Sequence, residues 1–395
     1  MRILALSPTF LPAVGGAELL VLHVLRRLAL RHEVRLVTPV LSEAILSSIG
    51  DPGYDHLVNF EVERYRDAVS LMRIRGHRVT GGLIPPFSLS AVAAVHRAVR
   101  RFRPHVLNVH YCMPTGLAVP YARSVLGVPA VLSLTGRDVP GPGVPRLWRM
   151  WHRLVGGAST ETTFITDWCR RAVWGAQSRR GHIIPGGVDM ADREDPARSC
   201  ELRERFGVPN GGRLLFALQR FDPVKRVGVL VRAMPGILRR EPGAVLVIGG
   251  KGAQLERVRS LAEVLGVARH VHFPGFVPDA EVYPLLMASD LFVFHSTYET
   301  FGIVAAQAMA CGRAVVASAD PALSEVVEHG RTGLLVPVGD HEAFADAVCD
   351  LLADDARRRT MGEAGYRRAC AEYSWDAVAD GYERVLCAAS GEDCP

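Results

Sequence analysis

Lysine is almost absent from this sequence of 395 residues. It contains two lysines, Lys225 and Lys251, beside 44 arginines. The lysine ammonium is a compact, mobile charge and the arginine guanidinium is a planar fork, so the two groups bind an anion differently. Each lysine of such an arginine-rich chain is therefore a candidate for a role that arginine cannot fill.

The sequence also lacks paired cysteines and long apolar runs. None of its eight cysteines belongs to a Cys-x-x-Cys pair, which argues against a zinc site and a disulfide framework and favours separate thiols in a reducing compartment. No stretch approaches the roughly 18 apolar residues of a membrane span, and the apolar start at 1–7 is too short for a signal peptide. We therefore expect a cytoplasmic protein, with peripheral contact at the inner face of the membrane left open.

Acidic residues are scarce in the first half of the chain. Residues 1–180 carry a formal charge of +12 and residues 181–395 a charge of −7, which together give the overall +5. Two halves of opposite charge, in a chain of this length, favour two domains with different partners.

Short apolar runs alternate with helical patterns along the whole chain. Continuous apolar strands joined by helices are typical of parallel sheets that are covered on both faces. The pattern therefore predicts an α/β fold. The strand-like runs are 2–7, 33–38, 105–109, 130–134, 213–217, 244–249, 270–273, 291–295 and 314–317.

Each half of the chain begins its own series of strands and helices, which predicts two doubly wound, Rossmann-like domains facing across a cleft. Glycine, proline and acidic residues cluster at 184–192, where we place the boundary. The predicted domains are 1–185 and 186–375. Residues 376–395 are expected to form a C-terminal helix that crosses back to the first domain, with a short tail.

The first candidate motif is Gly15-Gly16-Ala17-Glu18, which follows the first strand and opens a helix. Paired glycines let the backbone approach a phosphate, and a helix start offers unpaired N–H groups. The motif fits a phosphate-binding turn and a tight turn that binds nothing equally well.

The second motif, Arg220-Phe-Asp-Pro-Val-Lys225, lies between a strand and a helix. A guanidinium and an ammonium on one loop can converge on a diphosphate. The alternative is a solvated basic loop, which the rarity of lysine disfavours.

The third motif runs from Glu299 to Gln307. Gly302 opens an apolar helix, so the backbone amides of Phe301–Val304 can bind a phosphate oxygen. Glu299 can accept hydrogen bonds from sugar hydroxyls, and Gln307 lies about two turns along the helix, within reach of a ribose. A carboxylate that only complements the helix dipole is the alternative for Glu299.

Together these motifs resemble family 4 of the retaining glycosyltransferases, the "glycosyl transferases group 1", over almost the whole chain. The resemblance implies a GT-B fold and transfer of a sugar from a nucleotide diphosphate-sugar with retention, without a metal and without a cofactor beyond this co-substrate. Two alternatives stay open: a non-catalytic nucleotide-sugar-binding partner, and another GT-B enzyme such as a nucleotide-sugar epimerase. The matching segments are 15–18, 220–225, 273–277, 299–304 and 324–337.

The resemblance assigns a role to each matching position. Arg220 and Lys225 would bind the diphosphate and, with Glu299 on the donor sugar, form the catalytic set. The remaining donor-binding positions contribute backbone or, at position 307, a ribose contact. They are Gly15, Gly16, Gly275, Val277, Phe301, Gly302, Ile303, Val304 and Gln307.

Two positions depart from the family pattern. Gln307 stands where the family places a second glutamate, so we expect altered ribose binding. Thr135 stands where a histidine often faces the donor sugar, which leaves sugar specificity open. Arg137 and Asp138, together with His110 at a strand end, are candidates for the acceptor side of the cleft.

The basic first half bears on the acceptor, which the family usually binds there. Residues 86–104 and 145–155 read as amphipathic helices rich in arginine, the second with Trp148 and Trp151. Such helices suit an anionic membrane surface or an anionic, lipid-linked acceptor, and equally a solvated arginine face. The acceptor classes left open are a lipid-linked saccharide, a polysaccharide precursor and a secondary metabolite. The sequence shows no nucleic-acid-binding motif, and we expect no such partner.

Overall fold

The computed structural model describes residues 1–13, 15–43, 46, 52–67, 87–136, 139–141, 146–191 and 195–393. The chain divides into two compact units. The first consists of Met1–Gly187 together with Trp375–Pro395, and the second of Val188–Ser374.

The first unit is built on a parallel seven-stranded sheet in the order β3-β2-β1-β4-β5-β6-β7. Its central strands are buried along their length because helices cover both faces. The strands are β1 Arg2–Leu6, β2 Glu33–Pro39, β3 Glu61–Tyr65, β4 Val106–His110, β5 Ala130–Leu134, β6 Glu161–Phe164 and β7 His182–Ile183.

The second unit holds a parallel six-stranded sheet in the order β10-β9-β8-β11-β12-β13. The prediction of two parallel-sheet, Rossmann-like domains is confirmed. The strands are β8 Arg213–Leu218, β9 Ala244–Gly249, β10 Val271–Gly275, β11 Leu291–Phe294, β12 Val315–Ser318 and β13 Gly333–Val336.

Several helices begin at residues that satisfy the first free amides of the helix. The carboxylate of Asp340, for example, accepts hydrogen bonds from the amides of Glu342 and Ala343. The helices are α1 Gly16–Leu28, α2 Leu89–Phe102, α3 Ala118–Ser124, α4 Arg146–Ala158, α5 Asp167–Trp174, α6 Pro196–Arg205, α7 Gly228–Arg240, α8 Leu255–Val264, α9 Asp279–Ala288, α10 Ile303–Ala310, α11 Leu323–Val326, α12 His341–Ala353, α13 Asp355–Arg368 and α14 Trp375–Ser390.

The C-terminal helix α14 belongs to the first unit, where it packs on α1. The His23 ring stacks on Trp375 with centroids 4.3 Å apart, and Arg31 pairs with Asp380 at 2.8 Å. Burial, with help from neighbouring arginines, lowers the pKa of His23 to about 4. This interface therefore holds a neutral imidazole at neutral pH.

The order of the second sheet marks where a ligand would bind. β8 is the first strand of its unit and lies between β9 and β11, so the connections from it and from β10 run to opposite sides of the sheet. Open α/β sheets bind ligands beyond the carboxyl ends of the strands at such a reversal. The loops after β8 and β11 are therefore the first place to look for a site.

Among the cysteines that the structure describes, six are free thiols and Cys387 is disulfide-bonded. The expectation of separate thiols is therefore wrong at Cys387, because the lack of a Cys-x-x-Cys pair does not exclude a single bridge. Within the described residues, no helix has the length and apolar character needed to cross a membrane.

Candidate active site

Lys225 lies at the end of a short 3-10 helix, Pro223–Lys225, that follows β8. The carbonyl of Val224 accepts hydrogen bonds from both the amide and the hydroxyl of Thr297, each at 2.9 Å. Because Thr297 follows β11, these bonds tie together the loops after the two central strands. The backbone of Lys225 is thereby fixed at the switch point of the sheet.

Lys225 and Glu299 form an ion pair. Their side chains are 15% and 11% exposed, and the Lys225 ammonium lies 5.6 Å from the centroid of the Phe294 ring. Because little water reaches these two side chains, each charge is stabilised mainly by the opposite charge of its partner. The structure thus brings together two of the predicted catalytic residues, one from each central loop.

His295 lies next to the backbone of Lys225. The imidazole is fully buried; its Nε2 accepts the amide N–H of Gly339 at 2.9 Å, and its Nδ1 faces the carbonyl of Lys225 at 3.5 Å. Burial lowers the pKa of His295, so the ring is neutral near pH 7 and can donate from Nδ1 to that carbonyl. His295 is a positioning residue, which a strand-end histidine in the sequence does not reveal.

Arg220 lies on the same strand-end loop as Lys225 and is 44% exposed. Its guanidinium pairs with Asp222 at 2.9 Å. The carboxylate on the same loop orients the Arg220 side chain, which is still half-exposed. The geometry therefore leaves Arg220 accessible to an anion at the end of β8.

Gly302 sets the start of α10. Its φ of 89° lies in the left-handed region, and a Cβ at this position would meet Leu323 Cδ2 at 2.4 Å, so the turn requires glycine. Phe301 is buried edge-to-face against Tyr373, with centroids 5.5 Å apart. The amides of Ile303 and Val304, at the first turn of the helix, have no carbonyl one turn earlier within the helix and can bind an anion.

Asp320 is a buried residue that sequence reasoning missed. Its carboxylate accepts the amides of Ala322 at 2.9 Å and Leu323 at 3.2 Å, and it also accepts the backbone amide of Glu299. Burial raises the pKa of Asp320, and the Glu299 charge adds to this. Asp320 therefore positions both Glu299 and the start of α11. The feature of the sequence that could have indicated this role is the position of Asp320, two residues after the buried strand β12.

The other predicted donor residues of the second unit lie at the same edge of the sheet or on α10. Gly275 ends β10 with a φ of 79°, and Val277 is buried against Gly249. Gln307, half-buried on α10, lies beside the hydroxyl of Tyr283, whose pKa is raised by burial. Gln307 thus has a protein neighbour, which the sequence did not indicate.

The paired glycines of the first unit have different surroundings. A Cβ on Gly15 would meet the Glu18 carboxylate at 2.7 Å, whereas a Cβ on Gly16 would meet no atom of the described residues within 4 Å. Glu18 in turn accepts a hydrogen bond from the Thr9 hydroxyl at 2.5 Å. The contact with Glu18 therefore accounts for a glycine at position 15, whereas no contact that the structure describes within this unit accounts for a glycine at position 16.

The candidate acceptor residues receive less support. His110 is fully buried, packs against Tyr382 with centroids 6.3 Å apart and is hydrogen-bonded to Asn108 at 3.2 Å. Burial lowers its pKa to about 4. The structure therefore gives His110 an interior place, with no surface for an acceptor. Thr135, at the end of β5, is also buried, while Arg137 and Asp138 lie outside the described residues.

Two parallel α/β units, one of which presents cations, a carboxylate and a helix start at its sheet edge, define a transferase of the GT-B class. The model of the family described as "Glycosyl transferases group 1" matches residues 199–368, and that of the "Glycosyl transferase 4-like domain" matches residues 15–187. The chain belongs to the group 1 glycosyltransferases of family 4.

Curated relatives agree with this family. A GDP-mannose-dependent alpha-(1-6)-phosphatidylinositol monomannoside mannosyltransferase of Mycobacterium tuberculosis is 34% identical over 67% of this chain and 71% of its own length. A D-inositol 3-phosphate glycosyltransferase of Segniliparus rotundus is 31% identical over 69% of this chain and 62% of its own length. The chain is thus an enzyme, a glycosyltransferase that uses a nucleotide-sugar donor.

Among solved structures, the Anabaena protein HepE in complex with UDP and glucose is similar to this chain with a TM-score of 0.75 and 21% identity. The match covers 98% of this chain and 100% of that one. This likeness shows the fold.

Proposed function

We propose that this enzyme transfers the sugar of a nucleotide diphosphate-sugar to its acceptor with retention of the anomeric configuration and without a metal ion. The single observation that carries the proposal is the largely buried Lys225–Glu299 pair at the switch point of the second sheet. The pair joins a cation suited to a diphosphate to a carboxylate suited to sugar hydroxyls.

Arg220, Lys225 and the first amides of α10 would stabilise the leaving diphosphate. Negative charge grows on this group as the glycosidic bond breaks, and fixed positive groups in a site with little water stabilise that charge in the transition state. Two side-chain cations and the amides at a helix start would supply the positive charge that a metal ion supplies in metal-dependent enzymes. The remaining catalytic contribution is positioning of donor and acceptor on one face of the sugar.

The donor contacts are proposed residue by residue from the family pattern. Glu299 accepts hydrogen bonds from donor-sugar hydroxyls, Gln307 contacts the ribose, and the backbone from Gly275 to Val277 lines the base. Gly16 is included because its own unit leaves open space around it. Open space beside a glycine at the start of a helix is suited to close approach of a ligand.

The acceptor is proposed to be anionic and lipid-linked, presented at a membrane surface. The M. tuberculosis relative is named for a phosphatidylinositol acceptor, and the S. rotundus relative for an inositol phosphate. Residues 1–180 carry a charge of +12. Such a surface attracts anionic headgroups.

Helix α4 supplies the docking surface for an anionic membrane. Leu147, Met150 and Leu154 are 36%, 52% and 60% exposed and follow the i, i+3, i+7 spacing of one helical face. Arg146 and Arg149 are exposed beside them. Apolar side chains flanked by arginines are typical of helices that lie in a membrane interface.

Trp148, which the sequence suggested for this contact, is instead buried in the unit. Helix α2 buries most of its apolar side chains, and the residues that it exposes are Leu89 at its start, Ala93 and three arginines, so it has no row of exposed apolar side chains. The membrane proposal therefore rests on α4.

The chemistry is tested by incubating the protein with UDP- and GDP-sugars and a lipid acceptor extract, with and without EDTA, and reading the product linkage by NMR. Transfer with the donor's anomeric configuration in EDTA is expected. An inverted product, or transfer that EDTA abolishes, overturns the corresponding part of the proposal.

Membrane docking is tested with vesicles of phosphatidylcholine alone or with phosphatidylserine. Binding to the anionic vesicles that weakens with salt is expected. The triple variant Leu147→Ser, Met150→Ser, Leu154→Ser should lose it. A matched triple at scattered exposed sites of the same unit, Leu30→Ser, Leu89→Ser and Val125→Ser, should bind like wild type; equal losses in both triples contradict docking through α4.

A further inference from the structure

Both lysines of the chain lie at the carboxyl edge of the second sheet, one after β8 and the other after β9. The loop that carries Lys251 is tied to both neighbouring strands. The amide of Phe221 donates to the Lys251 carbonyl at 2.9 Å, and the amide of Gly250 donates to the Gly275 carbonyl at 2.6 Å. The backbone of Lys251 is thus fixed, while its side chain is exposed.

Phe276 stands beside Lys251, directly after β10, with 63% of its surface exposed. The Lys251 ammonium lies 5.5 Å from the centroid of the Phe276 ring. One exposed phenylalanine is ordinary. Phe276, however, contacts one of the two lysines of the chain and lies at the edge where such sheets bind nucleotides. The two side chains are therefore a candidate recognition element.

The sheet order places this pair at the base end of a bound donor. β9 lies next to β8, and β10 lies next to β9. With neighbouring strands about 4.8 Å apart, Phe276 lies roughly 10 Å along the edge from the loop of Arg220. If the diphosphate binds at Arg220 and Lys225, the nucleoside extends from there along the sheet edge, which places the base near Phe276.

We propose that Lys251 and Phe276 select a guanine nucleotide as the donor. The proposal rests on the proposed function, which places the diphosphate at Arg220 and Lys225. The guanine stacks on the Phe276 ring and displaces the ammonium, because a stacked base is worth more than an exposed cation–π contact. The displaced ammonium then donates hydrogen bonds to guanine O6 and N7.

The selectivity follows from the donors and acceptors of each base. Guanine presents O6 and N7 as adjacent acceptors, which an ammonium can satisfy together. Adenine places an amino donor beside N7, and an ammonium has no acceptor for it. Uracil offers O4 at the corresponding edge, so it loses one of the two contacts.

The test measures binding of GDP, UDP and ADP to the full chain by isothermal titration calorimetry. Wild type should bind GDP about tenfold or more tightly than UDP or ADP. Lys251→Met keeps the stem but removes the donors, so it should lose about tenfold in GDP affinity and leave UDP affinity within twofold. Phe276→Leu should weaken all three nucleotides to a similar extent, because stacking does not distinguish the bases.

Arg257→Met provides the matched control, since it removes an exposed cation from the neighbouring helix α8. It should bind all three nucleotides like wild type. Tight GDP binding that Lys251→Met leaves intact, or a preference of wild type for UDP or ADP, overturns the base assignment while the proposed transferase function stands. No binding of any nucleotide, combined with no sugar transfer, overturns both.

Discussion

Replacement of Lys225 by methionine tests the ion pair at the centre of the site. Methionine keeps much of the apolar stem but removes the ammonium, which leaves the Glu299 carboxylate without its cation. Loss of one partner from a fully buried pair costs about 3–5 kcal/mol. Because the two side chains are 15% and 11% exposed, water can reach Glu299 in part, and we expect a cost of about 2 kcal/mol.

The effect on catalysis should be larger than the effect on folding. Loss of one preorganised group that stabilises transition-state charge lowers kcat by about 100- to 1,000-fold, which corresponds to roughly 3–4 kcal/mol of barrier. Urea unfolding gives the stability change, and steady-state transfer at saturating donor gives kcat. Arg232→Met, which removes an exposed cation from α7, is the control and should change neither quantity.

The double variant Lys225→Met, Glu299→Gln separates the structural role from the chemical one. Neutralising both partners removes the uncompensated charge, so stability should recover by about 1 kcal/mol relative to Lys225→Met. Turnover should not recover, because the cation for the diphosphate is still absent. Recovery of turnover together with stability, or a single variant that keeps kcat within threefold of wild type, refutes the assignment.

Four further outcomes are expected. Gly302→Ala should destabilise the fold by about 1–3 kcal/mol by urea unfolding, through the positive φ and the Leu323 contact, and the double variant with Leu323→Ala should lose less stability than the sum of the two single losses; no loss in Gly302→Ala would contradict the strained turn. Gly16→Ala should leave the melting temperature unchanged, since open space surrounds it, but lower transfer; unaltered transfer removes Gly16 from the donor site. Stability should fall as the pH drops from about 6.5 towards 4, because the unfolded chain takes up protons at His23 and His110, whose pKa values burial lowers to about 4 in the folded chain; His23→Phe keeps the stacking on Trp375 and should make this dependence less steep, and an unchanged slope contradicts the assignment. Gln307→Glu should be tolerated with equal or tighter nucleotide binding by calorimetry, and a large loss of affinity would show that Gln307 does not contact the ribose.

The parallel sheets could be predicted because their central strands are buried on both faces. Such a strand must be apolar throughout, and Ala244–Gly249 reads accordingly. β6 escaped prediction since it has four residues and two of them are threonines. Thr162 and Thr163 are buried, with their hydroxyls bonded to Ser159 and Ser133.

The strand-end loops could be located from the sequence, but the contacts within them could not. Arg220, Lys225 and Glu299 stood out by residue type and spacing. The supporting residues did not, since a buried histidine or aspartate reveals its partners only in three dimensions. His295 reaches Gly339, 44 positions along the chain, and Asp320 reaches Glu299 from the loop after β12.

The exposed face of α4 was misread for a related reason. Trp148 and Leu147 are neighbours in sequence but point to different sides of the helix, because consecutive residues lie about 100° apart. The position of the core decides which of the two is buried. The structure buries Trp148 and leaves Leu147, Met150 and Leu154 exposed.

Hydrogen–deuterium exchange of the full chain, with and without a nucleotide diphosphate-sugar that it turns over, tests the location of the donor site most directly. The peptides that span 219–226, 275–277 and 299–304 should exchange more slowly with the donor bound, while helix α6, whose Arg203 pairs with Asp290 before the start of β11, keeps its rate. Slower exchange confined to other parts of the chain, with these three segments unchanged, would contradict a donor site at the carboxyl edge of the second sheet.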